Sequence, residues 1–285
     1  MNKHCKHYLD SFKLTKDHLY TFLTDLIVFS LILLSFSWLS ATLQRKSAEV
    51  LQGKSAEEIQ TLLASSNPEQ LLPFLTQLKS FLIWSIVIAV ALIIGYFLLF
   101  SLSQAVIWYH LLKKKLTHKI YWRWNLLDLF LIVPVLVFGF FYLIIRLLSA
   151  LLINLVFSLV PKFNLLHPVF MQNVRLFYNG TVNFFCTVII LVILLLICHQ
   201  FALKYKVWEA VGKGFSLLKQ KWKSLGRLIL FSTATGLILM LITLPIKKAL
   251  LYSPLALNLV NLVVVIAFLA WLRIYLFKTL AEEQK

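Results

Sequence analysis

Six stretches of the chain run for about twenty residues or more in predominantly apolar sequence: Leu19 to Leu43, Phe81 to Leu112, Leu126 to Ile145, Thr181 to Leu203, Leu228 to Leu250 and Leu255 to Leu276. A helix needs roughly 20 apolar residues to cross about 30 Å of hydrocarbon. Runs this long and unbroken satisfy their backbone polar groups internally only as helices. The pattern therefore predicts an all-α, polytopic membrane helix bundle with six transmembrane helices. The first eighteen residues are polar and offer no small-residue cleavage site, so the first apolar run is expected to stay as a span.

Between the runs the sequence is polar in three different ways. Gln44 to Lys79 is the one sizeable polar insertion, and its Ser55–Glu58 capping pattern and Ser66-Asn67-Pro68-Glu69 restart predict an outer helical hairpin over 44–79. After Arg146, the apolar residues Leu147 to Val160 are too few to cross again, which leaves a bent interfacial extension or a re-entrant dip. Ahead of the fifth run, Val207, Val211, Phe215, Leu218, Trp222 and Leu225 recur at helical spacing. They predict an amphipathic helix over 204–227 lying in the headgroup plane, with Gly212 and Gly214 as a weak middle.

The first, third and fifth runs start alike. Each follows a basic, aromatic stretch and enters the membrane through a similar phrase: Leu23-Thr24-Asp25-Leu26-Ile27, Leu126-Leu127-Asp128-Leu129-Phe130 and Leu225-Gly226-Arg227-Leu228-Ile229. Their charged positions fall at nearly equal intervals, which suggests a threefold repeat of an interfacial helix and a helical hairpin.

Composition agrees with the pattern. The chain of 285 residues is 60% hydrophobic and 14% charged, with a mean hydropathy of +0.85, against about 45–50% apolar and about 25% charged for a soluble domain. That excludes a soluble enzyme, a disordered chain, a disulfide-stapled module and an outer-membrane barrel. The 28 basic and 11 acidic residues give a formal charge of +17. Most of the basic residues fall in 1–18, 113–125 and 204–227, so the excess reads as positive-inside topology rather than nucleic-acid binding. Both termini are then cytoplasmic, with 1–18 a basic tail, 19–285 a single transmembrane domain, and the cell membrane as its place.

The segment Lys204-Tyr205-Lys206-Val207-Trp208-Glu209-Ala210-Val211-Gly212-Lys213-Gly214-Phe215-Ser216-Leu217-Leu218-Lys219 is similar to one in an uncharacterised prokaryotic six-span family. It resembles the membrane domain of glycerophosphodiester phosphodiesterases, in which a Glu-Ala pair opens an interfacial helix before the fifth span. No phosphodiesterase catalytic domain accompanies it here. The resemblance therefore implies membership in a membrane family and carries no activity across.

Charged groups inside a bilayer cost about 2.5–3.5 kcal/mol each on insertion scales, so they are the candidate chemistry. Asp25 and Asp128 sit in first turns, where the helix dipole favours an acid. Arg227 sits at the wrong end for that effect and is expected to pair with Asp25 or Asp128. Gln104, His110, His199, Gln200 and Arg273 are expected to line an inward-facing vestibule. Lys213, Lys219, Lys221 and Lys223 are expected to touch anionic headgroups. Trp38, Trp84, Trp108, Trp122, Trp124 and Trp271 read as interfacial anchors. Ala91/Gly95 and Ser232/Gly236 are small pairs suited to helix contact.

Neither paired carboxylates nor a nucleophile motif appears, so no catalytic residue is expected. His4-Cys5-Lys6-His7 lacks further ligands, and no metal or cofactor is expected. The reading that results is a structural or accessory membrane protein in contact with lipid. The alternative is a permease for a lipid-like or weakly polar substrate.

Overall fold

The computed structural model describes residues 8–51, 56–64, 68–159, 168–250 and 252–282, and these are helical with short connections. Residues 8–11 form the described part of α1. There follow α2 (Lys16–Leu51), α3 (Ala56–Ala64), α4 (Pro68–Leu111), α5 (His118–Leu159), α6 (Pro168–Lys204), α7 (Val207–Gln220), α8 (Trp222–Ala249) and α9 (Pro254–Glu282). Pro68, Pro168 and Pro254 each open a helix, where a missing N–H costs nothing and the fixed φ is already helical. Six helices, α2, α4, α5, α6, α8 and α9, are long and apolar enough to cross a membrane. The chain is a multi-pass membrane protein.

The helices outrun the apolar segments that predict them. The 44 residues of α4 and the 42 of α5 span about 66 and 63 Å at 1.5 Å per residue, twice the hydrocarbon thickness of about 30 Å. The expected hairpin over 44–79 is thereby reduced: residues 44–51 prolong α2, α4 begins at Pro68, and α3 alone is separate. Ser55, Ser66 and Asn67, on which that expectation leaned, lie outside the described residues, as do His4-Cys5-Lys6-His7. The tail after Arg146 continues α5 without a break to Leu159, so residues 147–159 make no re-entrant reversal, and Val160 lies outside the described residues.

Two compact units result: Met1–Asp25 with Gln104–Lys285, and Leu26–Ser103. Within Leu26–Ser103, Lys46 lies 5.6 Å over the Trp84 ring, and Leu34, Phe36, Ile86 and Ile93 are exposed, as befits side chains solvated by lipid. In the larger unit the core gathers around the turns at Leu112–Thr117 and Tyr205–Lys206. Trp108, Trp124, Phe201, Leu272 and Tyr275 are buried there, and Trp124 meets Phe201 edge-on at 5.0 Å. Three of the expected belt tryptophans, Trp108, Trp124 and Trp271, are therefore core residues, whereas Trp38 and Trp122 remain exposed.

The three span starts take three different forms. α1 and the non-helical residues 12–15 precede α2, Lys119 to Trp124 are the first turns of α5 itself, and α7 leads directly into α8. The stretch 204–227 is thus divided at Lys221, which closes α7 and opens α8. Of the two glycines in the middle of α7, Gly212 faces open space, whereas a Cβ on Gly214 would lie 2.7 Å from Cγ1 of Ile197 on α6. Glycine is there because α7 crosses α6 too closely for any side chain.

Candidate functional site

Asp25 on α2 and Arg273 on α9 are 0% and 3% exposed, and Arg273 Nη1 donates to Asp25 Oδ2. Arg273 Nη2 donates to Gln104 Oε1 on α4 at 3.2 Å. Each charge sits nine residues from the end of its helix, roughly 13 Å at 1.5 Å per residue. A lone ion at that depth would be costly, and its partner together with the Gln104 amide makes it tolerable. Asp128 is buried on α5, and it and Arg273 both lie within electrostatic reach of Cys198 on α6.

Arg227 is not the partner of Asp25. It is exposed, because the buried face of α8 runs through Leu225, Leu228, Ile229 and Ser232, and a residue two places after Leu225 points the other way. Of the expected vestibule residues, Gln104, His199, Gln200 and Arg273 are buried side chains, and Gln200 also lines a cavity of about 320 Å³ beside Lys213 and Lys221. Gln200 Nε2 donates to Nδ1 of His199 at 3.3 Å, and the Trp108 ring packs on the same imidazole at 5.6 Å. His110 faces outward, with its Nε2 3.2 Å from Asp17 Oδ1 and its ring stacked on Tyr20 at 3.9 Å.

The basic residues divide into two groups by what they touch. Some hold the fold. Lys114 Nζ donates to the carbonyls of Ala202 and Leu203 at 3.1 and 3.3 Å, and Arg123 Nη1 donates to that of Tyr205 at 3.3 Å. A cation at the carbonyl end of α6 satisfies orphan acceptors and meets the negative end of the dipole. Sequence reading missed this role; the signal available was the placement of Lys114 and Arg123 in the segments flanking a span. Others line a surface cleft of about 700 Å³ where α7 turns into α8: Lys219, Lys221, Lys223 and Arg227 around Trp222. Among the described residues no acid pairs with Lys219, Lys223 or Arg227.

Along α7 the charge is crowded as well. Glu209 accepts from Lys206 at 2.7 Å and lies 3.9 Å from Lys213; the Lys206 hydrogen bond holds its carboxyl below the usual range. Lys204 beside it pushes the Lys213 ammonium down, the signature of cations with too few counterions.

The N-terminal segment is stitched to the last two helices. Tyr8 Oη is 2.8 Å from Thr235 Oγ1, Trp271 Nε1 donates to Ser11 Oγ at 2.9 Å, and Lys278 Nζ donates to the Asp10 carbonyl at 2.8 Å. His18 Nε2–H donates to the Ser11 carbonyl at 2.9 Å, while its Nδ1 accepts from the Thr15 N–H at 3.3 Å.

Among the described residues no group of His, Cys, Asp and Glu is placed to hold a metal ion. Among known protein families, curated proteins and solved structures, none matches this chain.

Proposed function

We propose that the chain is a non-enzymatic accessory protein of the cell membrane, with its termini in the cytoplasm, whose basic end engages anionic lipid headgroups. The observation that supports this reading is the cleft at the α7–α8 turn, where four cations surround Trp222 and three of them have no acid partner among the described residues. Exposed Trp208, Phe215 and Trp222 stand alongside, the pairing of aromatic and cationic side chains that suits a headgroup layer. The crowding of Lys204, Lys206 and Lys213 is relieved by an anion outside the protein. Cations near an anionic leaflet contribute about 1 kcal/mol each.

The test compares thermal unfolding in nanodiscs of phosphatidylcholine with and without phosphatidylglycerol. The anionic lipid is expected to stabilise the protein, and added salt to weaken that stabilisation. A variant with Lys219, Lys221, Lys223 and Arg227 all changed to Gln is expected to lose most of it. Retention of the full phosphatidylglycerol effect by that variant removes the reading.

A further inference from the structure

A second feature lies apart from the cationic cleft. The segment that runs from Ser11 into the first turns of α2 leans against α8 and α9, and between them is a cavity of about 550 Å³. Its walls are carbon for the most part: Phe12, Leu19, Phe22, Leu239 and Phe268 all line it. The Trp271 indole completes the inner wall, stacked on Phe12 at 5.2 Å, and with its N–H committed to Ser11 it has only ring surface to offer an occupant. The bonds from Tyr8 to Thr235 and from His18 to Ser11 fix both sides, so the cavity is preformed.

Two properties identify what fits. Three of the framing helices, α2, α8 and α9, are membrane spans, so an occupant enters from the bilayer and not from water. The rim carries one cation, Lys16, which pairs with no acid among the described residues. An apolar slot open to lipid, with an unneutralised ammonium at its mouth, complements a molecule that is hydrocarbon at one end and anionic at the other. We propose that this cavity holds one acyl chain of an anionic phospholipid whose phosphate is met by Lys16. The site shares no lining residue with the α7–α8 cleft and does not depend on it.

Native mass spectrometry of the full chain, released from detergent with phosphatidylglycerol or phosphatidylcholine added, tests the assignment. Wild type is expected to retain phosphatidylglycerol in preference to phosphatidylcholine. Ala267 lines the cavity and is itself exposed, so Ala267→Trp fills the slot from its open side and is expected to abolish the retained adduct. Lys16→Gln is expected to weaken it about fivefold, the equivalent of ~1 kcal/mol for one cation at a phosphate. Leu239→Trp, from the opposite wall, is the second filling variant should Ala267→Trp not fold. The variant with four glutamines in the α7–α8 cleft is expected to keep the adduct, which separates this site from that one. Undiminished phosphatidylglycerol retention by the folded filling variants, or equal retention of the two lipids by wild type, overturns the proposal.

Discussion

Replacing Arg273 by Leu is the most demanding perturbation the fold offers. The guanidinium is 3% exposed and the Asp25 carboxylate 0%, so the substitution leaves an acid with no water and no cation. Removing one partner of a buried pair costs about 3–5 kcal/mol. At roughly 2–4 °C per kcal/mol for a chain of this size, a loss of about 3 kcal/mol lowers the midpoint by about 6–12 °C. Asp25→Leu is expected to cost as much, because among the described residues it leaves the guanidinium with Gln104 alone to accept from it. The double variant is expected to lose less than either single one, since apolar replacement of a whole buried pair is often neutral or stabilising by about 1–4 kcal/mol. Thermal unfolding in detergent, followed by the emission of the buried Trp108, Trp124 and Trp271, reads all four corners of the cycle. Because the pair is buried, the differences are expected to survive a rise in salt. Losses that simply add in the double variant would refute the argument.

Other outcomes are expected elsewhere in the fold. A Cβ on Gly236 would lie 2.0 Å from Cζ of Phe184, so Gly236→Ala is expected to cost about 1–3 kcal/mol by overpacking. Shrinking the ring with Phe184→Leu should recover part of that loss in the same melting assay. Gly214→Ala meets Ile197 in the same way, and is expected to lower both the melting temperature and the phosphatidylglycerol effect by lifting α7 off α6. Lys113 closes α4 at φ 52°, where glycine is free of strain, and Lys113→Gly is expected to raise stability by up to about 1 kcal/mol; a clear loss would contradict this. Trp271→Phe removes the donor to Ser11 and is expected to cost about 1 kcal/mol.

What the sequence made legible follows from what kind of information each feature carries. Span number and position are local composition, and each of the six predicted runs matches, to within a residue at its ends, part of a helix long and apolar enough to cross a membrane. Asp25, Gln104 and Arg273 stood out as polar residues in apolar runs, yet their convergence joins positions 248 and 169 residues apart, and no short-range periodicity encodes that. Arg227 drew attention by its place in a repeated phrase, whereas its orientation is set by which face of α8 the core takes. Trp108 and Trp271 sit near span ends, where a belt and a core look identical until the neighbouring helices are in place. Gly214 reads in isolation as a weak point and in the assembled fold as a point of closest approach. Gly236 was legible, through its spacing from Ser232, but Ala91 and Gly95 have the same spacing and a Cβ on Gly95 would meet open space.

The tie between Asp25 and Arg273 has a bearing on how the protein is made. The acid enters the bilayer with α2, and its arginine on α9 is translated 248 residues later, on the order of ten seconds or more at about 5–20 residues per second. Throughout that interval the nascent chain carries an unneutralised carboxyl group, held only by the strength of its own hydrophobic flanks. Arrival of α9 then acts as the closing clasp, so a ribosome that stalls before it releases an assembly in which α2 is poorly seated.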